Sequence, residues 1–170
     1  MSLANYLPHW EFAETHQRLI EGTPEELYAR LQRLDLRKSW YLRALFLLRG
    51  LRRTTFANSQ KKFSLLKDEP GVEIILGLIA KPWLIKPKIV FHTREEFLTF
   101  NESGFAKMVW GFVFEAKEGN KTLVSTTTRI HCIDKAATRK FRTYWFFVRP
   151  FSNFVRKEML RLLSDEKIGL

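Results

Sequence analysis

The stretch from Gly104 to Ile133 constrains this chain more than any other, because it reads as one long hairpin. Two alternating runs, Phe105 to Lys117 and Thr122 to Ile133, flank Glu118-Gly119-Asn120-Lys121. Gly-Asn between such runs is a strong turn signal, since Gly takes the positive φ that a tight II′-type turn requires. With Gly119 and Asn120 as the loop, Phe114 faces Ser125, Phe112 faces Thr127, Trp110 faces Arg129 and Met108 faces His131. Directly paired residues share a face, and side chains alternate with period two. One face then holds Met108, Trp110, Phe112, Phe114, Leu123, Ser125, Thr127, Arg129 and His131. The other holds Lys107, Val109, Val113, Glu115, Val124, Thr126, Thr128 and Ile130, the small, β-branched and partly charged surface expected against water. A bank of rings with a few polar groups among them suits a pocket wall better than a dry core.

The rest of the chain supplies partners for that hairpin. Glu14 to Glu21 alternates loosely and predicts a first strand, with His16 and Ile20 on one face, ended by Gly22. Thr23-Pro24-Glu25-Glu26 opens a helix with Thr23 as N-cap and Glu26 completing a capping box. Leu27, Leu31 and Leu34 form its apolar stripe. A second helix is expected from Ser39 to about Arg53. Phe63 to Lys67 and Val72 to Lys81 read as a second hairpin around Asp68-Glu69-Pro70-Gly71, with Lys67 opposite Val72. Its inner face collects Phe63, Leu65, Ile74, Leu76 and Leu78. Phe97 to Phe100 is expected to form a short strand. After Ile133 the period changes to that of a helix. Asp134 is the N-cap candidate, and Ala137, Phe141, Tyr144, Trp145, Val148, Val155, Met159 and Leu162 fall on one stripe. Arg156 and Lys157 belong with the cations of the other side, and Pro150 should kink or split the helix near Arg149.

Strands segregated from helices in this order indicate an α+β fold. The expected architecture is a curved antiparallel sheet of about six strands wrapped around a long C-terminal helix, with two short helices after the first strand. It is expected to form a single domain over residues 1–170, with a core at about 14–163. Aromatics make up 14% of the residues, with 15 Phe, so either the core or a cavity is built from rings. The formal net charge of +11 favours anionic partners. The single cysteine, Cys132, excludes an internal disulfide, and no apolar run reaches the roughly 20 residues that cross a bilayer. With no basic start and apolar run at the N-terminus, the expected setting is cytoplasmic.

The layout resembles the START-like, Bet v 1-like helix-grip superfamily, also called the polyketide cyclase/dehydratase and lipid transport group. The resemblance runs from about Glu14 to Leu163 and is narrower toward an uncharacterised bacterial branch. It is carried by Gly104-Phe105-Ala106-Lys107, Val109-Trp110-Gly111-Phe112, Ser125-Thr126-Thr127-Thr128-Arg129-Ile130 and Phe141-Arg142-Thr143-Tyr144-Trp145, leading to Arg149-Pro150-Phe151-Ser152. In that branch the sixth-strand motif usually reads Ser-Thr-Glu-Thr-Arg, so Thr127 stands where a Glu would pair with Arg129. The resemblance implies a cavity between sheet and helix that holds a lipid-like or polyketide-like molecule, and in some members cyclisation or hydrolysis.

On this reading the ligand-binding candidates are Phe63, Leu65, Ile74, Leu76, Met108, Trp110, Phe112, Phe114, Thr127, Arg129, His131, Phe141 and Trp145. Arg129 is the sharpest, because a guanidinium on an apolar wall needs an internal acid or an anionic ligand group. His131 is a hydrogen-bonded histidine or an acid–base group. No His-x-x-x-His pair, phosphate loop, Walker motif or nucleophile elbow is present, so no metal or cofactor is expected. The expected function is binding of a hydrophobic or amphipathic small molecule in a carrier or sensor role. A cyclase- or hydrolase-type enzyme using Arg129 and His131 is one alternative, and an interaction module with a filled cavity is another. Trp83, Leu84, Ile85 and Lys86 in a Pro-marked loop, with Phe146, Phe147 and Phe154 off the main helical stripe, suit an anionic membrane surface. Nucleic acid is disfavoured, because no recognition motif is present and the cations are dispersed. The sequence leaves the oligomeric state open.

Overall fold

The computed structural model describes residues 2–34, 63–90 and 92–165. Along them run α1 (Leu3–Tyr6), β1 (Phe12–Glu21), α2 (Pro24–Arg33), β2 (Ser64–Glu69), β3 (Glu73–Lys81) and β4 (Lys88–Val90). Then follow α3 (Arg94–Thr99), β5 (Ala106–Lys117), β6 (Lys121–Cys132) and α4 (Lys135–Asp165). The fold is α+β: an antiparallel six-stranded sheet in the order β1-β6-β5-β3-β2, with β4 on β3, and the long C-terminal helix α4 against it. The helix expected at Ser39–Arg53 lies outside the described residues.

The caps behave as their chemistry dictates. At α2, the Glu26 amide donates to Thr23 Oγ1 at 3.3 Å and the Thr23 amide donates to Glu26 Oε2 at 3.1 Å. The same device recurs at Thr93 and Glu96, with bonds of 3.2 and 2.7 Å. It starts α3 where a strand at Phe97–Phe100 was expected. Thr93-Arg94-Glu95-Glu96 repeats the Thr-x-x-Glu signature of Thr23–Glu26, and that local signal outranks the β-propensity of Phe97 and Phe100. The sheet still has six strands because Lys88–Val90 supplies β4.

The main hairpin pairs one residue away from the expected register. Lys117 pairs with Lys121, so Glu118, Gly119 and Asn120 form a three-residue turn, with φ of 73° at Gly119 and 53° at Asn120. A one-residue slip moves every side chain of a strand to the opposite face. Trp110 therefore pairs with Thr128, Phe112 with Thr126 and Met108 with Ile130. The alternation of β6 itself decides the matter. Val124, Thr126, Thr128, Ile130 and Cys132 turn toward α4, while Ser125, Arg129 and His131 turn away. On that side burial still lowers the pKa of Arg129, whose Nη1 is buried without a hydrogen-bond partner among the described residues. The second hairpin also departs from expectation, because Glu69 pairs with Glu73 and a bulge falls between Leu65 and Lys67. The faces of β3 are nonetheless as expected: Ile74 and Leu76 join the core under α4, and Ile75 and Ile79 lie on the other side. There Leu66 packs over Gly77, where a Cβ would meet Leu66 Cδ1 at 2.7 Å.

Both faces of the sheet are covered. Beneath α4, Ile20, Leu27, Leu31, Phe112, Phe114 and Met159 form one core, and Ile130, Cys132, Ala137 and Phe141 form a second toward the start of α4. The outer face, expected to meet water, carries a third core in which α1 and α3 bring Leu3, Tyr6 and Phe97 onto Ile75, Ile79 and Val109. α4 runs unbroken from Lys135 to Asp165 through Pro150.

Asp134 ties α4 to the turn before β5. It accepts from the Ala137 amide at 2.7 Å, from Ser103 Oγ at 2.7 Å and from the Gly104 amide. These donors, the Ala137 amide first, hold its carboxyl down at about 2. A depressed carboxylate pKa stabilises the fold above the ordinary value and ceases to do so as pH falls through the folded one. Thermal melts are therefore expected to lose stability between about pH 4 and pH 2, and Asp134→Ala is expected to flatten that fall. A variant with the same acid profile as the parent would contradict this role.

Candidate functional site

The slip that removes Arg129 and His131 from the concave face installs other polar groups in their place. Rows across the sheet run Glu14–Thr128–Trp110–Leu76 and His16–Thr126–Phe112–Ile74, all facing α4. The helix adds Ser152 and Arg156 from above. Ser152 Oγ donates to Glu14 Oε2 at 3.0 Å, and Trp110 Nε1 donates to Thr126 Oγ1 at 2.8 Å. Arg156 donates through Nη2 to Thr128 Oγ1, and its guanidinium lies 5.3 Å from the centre of the Trp110 ring. Glu14 Oε1 stands 3.8 Å from His16 Nε2, too far for a hydrogen bond.

This cluster is desolvated and incompletely satisfied. Arg156 Nε, Glu14 Oε1 and His16 Nε2 are buried and lack hydrogen-bond partners among the described residues. Burial pushes the Arg156 guanidinium down to about 10, opposed by the Glu14 charge. His16 is lowered from its ordinary value chiefly by burial and by the cations of Arg156 and Lys157, against the pull of Glu14. At neutral pH the centre thus offers a cation with an unused N–H, a carboxyl with an unused oxygen and an imidazole that favours its neutral form. Buried polar groups without partners are costly, so such a set is suited to receiving the polar end of a ligand.

The apolar candidates gather around it. Phe63 lies 5.8 Å ring to ring from Trp110, which lies 5.3 Å from Phe112. Phe63, Leu65, Ile74 and Leu76, with Gln32 and Asp68, line a cleft of about 100 Å³ at the β2–β3 edge. Ile74, Leu76, Phe112 and Phe114 belong to the core beside α2, whereas Met108, Phe141 and Trp145 belong to the one at the other end of α4. Phe141 is the hub there, 5.0 Å from Phe12, 5.8 Å from Trp145 and 6.3 Å from Trp83.

Thr127, Arg129 and His131 require correction, because all three lie on the face away from α4. Thr127 Oγ1 is 3.0 Å from Thr15 Oγ1, and the Arg129 guanidinium stacks 3.9 Å from the centre of the Trp10 ring. His131 Nδ1 is 3.1 Å from Glu11 Oε1. The physical reason is the three-residue turn, which reverses the inside and outside of β6. Cys132 lies inside with Ile130, and burial pushes its thiol up to about 12, leaving it protonated and unreactive.

Glu14, His16 and Arg156 escaped the sequence reading, yet each carried a signal. Ile20 is buried, and period two from it points His16 and Glu14 inward. Arg156 follows Ser152 by four residues and precedes Met159 by three, so it borders the buried stripe. Among the described residues, no group of three or more His, Cys, Asp or Glu is placed to hold a metal ion. No described helix is long and apolar enough to cross a membrane.

No family model matches this chain, and no curated protein does. Among solved structures, DR_A0006 from Deinococcus radiodurans is 14% identical, with 88% of this chain and 98% of that one covered at a TM-score of 0.36. TTHA0849 from Thermus thermophilus is 15% identical, with 91% and 95% covered at a TM-score of 0.31. Likenesses this distant establish neither family nor activity.

Proposed function

We propose that this protein binds an amphipathic small molecule between the concave face of the sheet and α4, in a carrier or sensor role. The polar end of the ligand meets Arg156, Glu14 and His16, and its apolar body lies along Trp110, Phe112 and Phe63. The observation that carries this reading is the desolvated Arg156 with an unused Nε–H, in a cluster where Glu14 Oε1 and His16 Nε2, 3.8 Å apart, also lack hydrogen bonds. A carboxylate or other oxygen-bearing head group would accept from Nε, and a hydroxyl would bridge Glu14 and His16. The reading is in keeping with the START-like resemblance, whose members hold lipids, hormones and polyketides. A cytoplasmic setting goes with it, since Cys132 is a lone thiol.

One observation favours a second reading. Glu14 and His16, 3.8 Å apart, have the residue types of an acid–base pair, so a cyclisation or hydrolysis within the same site is the alternative. Native mass spectrometry of protein purified from cells tests the first reading. A co-purifying amphiphile, absent from the Arg156→Met variant, is the expected result. Protein that carries no adduct and shows no saturable uptake of a dansyl-labelled fatty acid would overturn it.

A further inference from the structure

α4 has a second face that neither the core nor the proposed ligand site uses. From Lys135 to Lys157 the sequence contains no Asp or Glu. Over that span Arg139, Lys140, Arg142, Arg149 and Lys157 are exposed and have no acidic partner among the described residues. Between these cations the helix presents rings to solvent. Phe146 is 77% exposed and Phe147 66%, while Phe151 and Phe154 are 41% and 39% exposed. Phe147, Phe151 and Phe154 follow the i, i+4, i+7 spacing of a second apolar stripe. Phe146 and Phe147 meet edge to face at 5.4 Å. Lys135, Thr138, Arg139 and Arg142 border an open depression of about 270 Å³ on the first turns of the helix.

We propose that this face docks on an anionic phospholipid surface. Phe146 lies among Arg139, Arg142 and Arg149, and Phe147, Phe151 and Phe154 lie further round with Lys140. Rings and cations thus share the exposed half of α4, as in a helix lying in a membrane interface, where charges meet anionic head groups and rings enter the acyl boundary. The basic depression is open enough for a lipid phosphate. The adjoining loop adds a second apolar point. Trp83 packs edge-on against Phe141 at 6.3 Å, while Ile85, two residues on, is fully exposed beside Lys86. A second copy of the chain would bring like charges together on this face, and edge-to-face rings give bases no flat stacking platform. The ring strip is separate from the ligand site, since Phe147, Phe151 and Phe154 lie about half a turn round α4 from Arg156. Arg142 and Arg149, at seven-residue spacing from Arg156, are exposed on the flank nearer to it.

Co-sedimentation with vesicles tests it, comparing phosphatidylcholine alone with phosphatidylcholine containing phosphatidylglycerol. The protein is expected to pellet with the mixed vesicles and to be released by salt. Arg142→Gln and Arg149→Gln should each weaken binding about fivefold. The double variant Phe146→Ser/Phe147→Ser should weaken it at least about tenfold while keeping the parent circular dichroism spectrum. Failure to pellet with either vesicle, or unchanged binding by the double variant, would overturn the proposal. So would a dimer on size-exclusion chromatography that the double variant dissociates, or retention of single-stranded oligonucleotide in place of vesicles.

Discussion

Replacing Arg156 with Met is expected to change the stability of the fold by no more than about 1 kcal/mol, because the desolvation it relieves offsets the lost attraction to Glu14, while weakening a carboxylate amphiphile about ten- to a hundredfold. The two halves of this result have one cause. A guanidinium under α4 sheds its hydration and recovers only the bond to Thr128 and the face of Trp110, with Glu14 near enough to oppose the shift but not to close an ion pair. Met fills similar volume without that desolvation cost. If Arg156 served only to hold α4 to the sheet, the variant would lose stability. Urea denaturation and titration with a dansyl-labelled fatty acid, read on the same preparations, separate the two roles.

Phe141→Ala is expected to cost about 3–5 kcal/mol, the largest effect of any single substitution considered for this fold. Phe141 is 1% exposed and touches the rings of Phe12, Tyr144, Trp145 and Trp83, so one deletion leaves β1, the β3–β4 loop and α4 without their common neighbour. The cavity cannot collapse easily, because its walls belong to separate elements. The urea midpoint should fall with the slope unchanged. A loss under about 1 kcal/mol would mean that α4 is held to the sheet mainly at its C-terminal half, around Met159 and Leu163.

What the sequence revealed and what it withheld follow from the range of the signals. Thr23-Pro24-Glu25-Glu26 and the 3.6-residue stripe of α4 are local, and both are legible. Thr93-Arg94-Glu95-Glu96 is equally local, but the rings of Phe97 and Phe100 compete with it for a strand. The hairpin register is not fixed by local chemistry alone. Gly119-Asn120 allows a turn of two or of three residues, and that one residue decides which side of β6 faces α4. Given the pattern Val124, Thr126, Thr128, Ile130 against Ser125, Thr127, Arg129, the unbroken β-branched run is the better guide to the face that meets α4. The apolar half of the site survives the slip because β3 and β5 keep their faces. The polar half changes wholly: Thr127, Arg129 and His131 exchange places with residues from β1 and α4 that no single stretch of sequence brings together.

The most direct measurement is therefore a paired titration of Arg156→Met and Arg129→Met with a dansyl-labelled fatty acid. Arg129→Met is expected to bind as the parent does, and Arg156→Met to lose about ten- to a hundredfold in affinity. Loss of binding in Arg129→Met with full affinity in Arg156→Met would contradict a site under α4, and would place the ligand on the other face of the sheet.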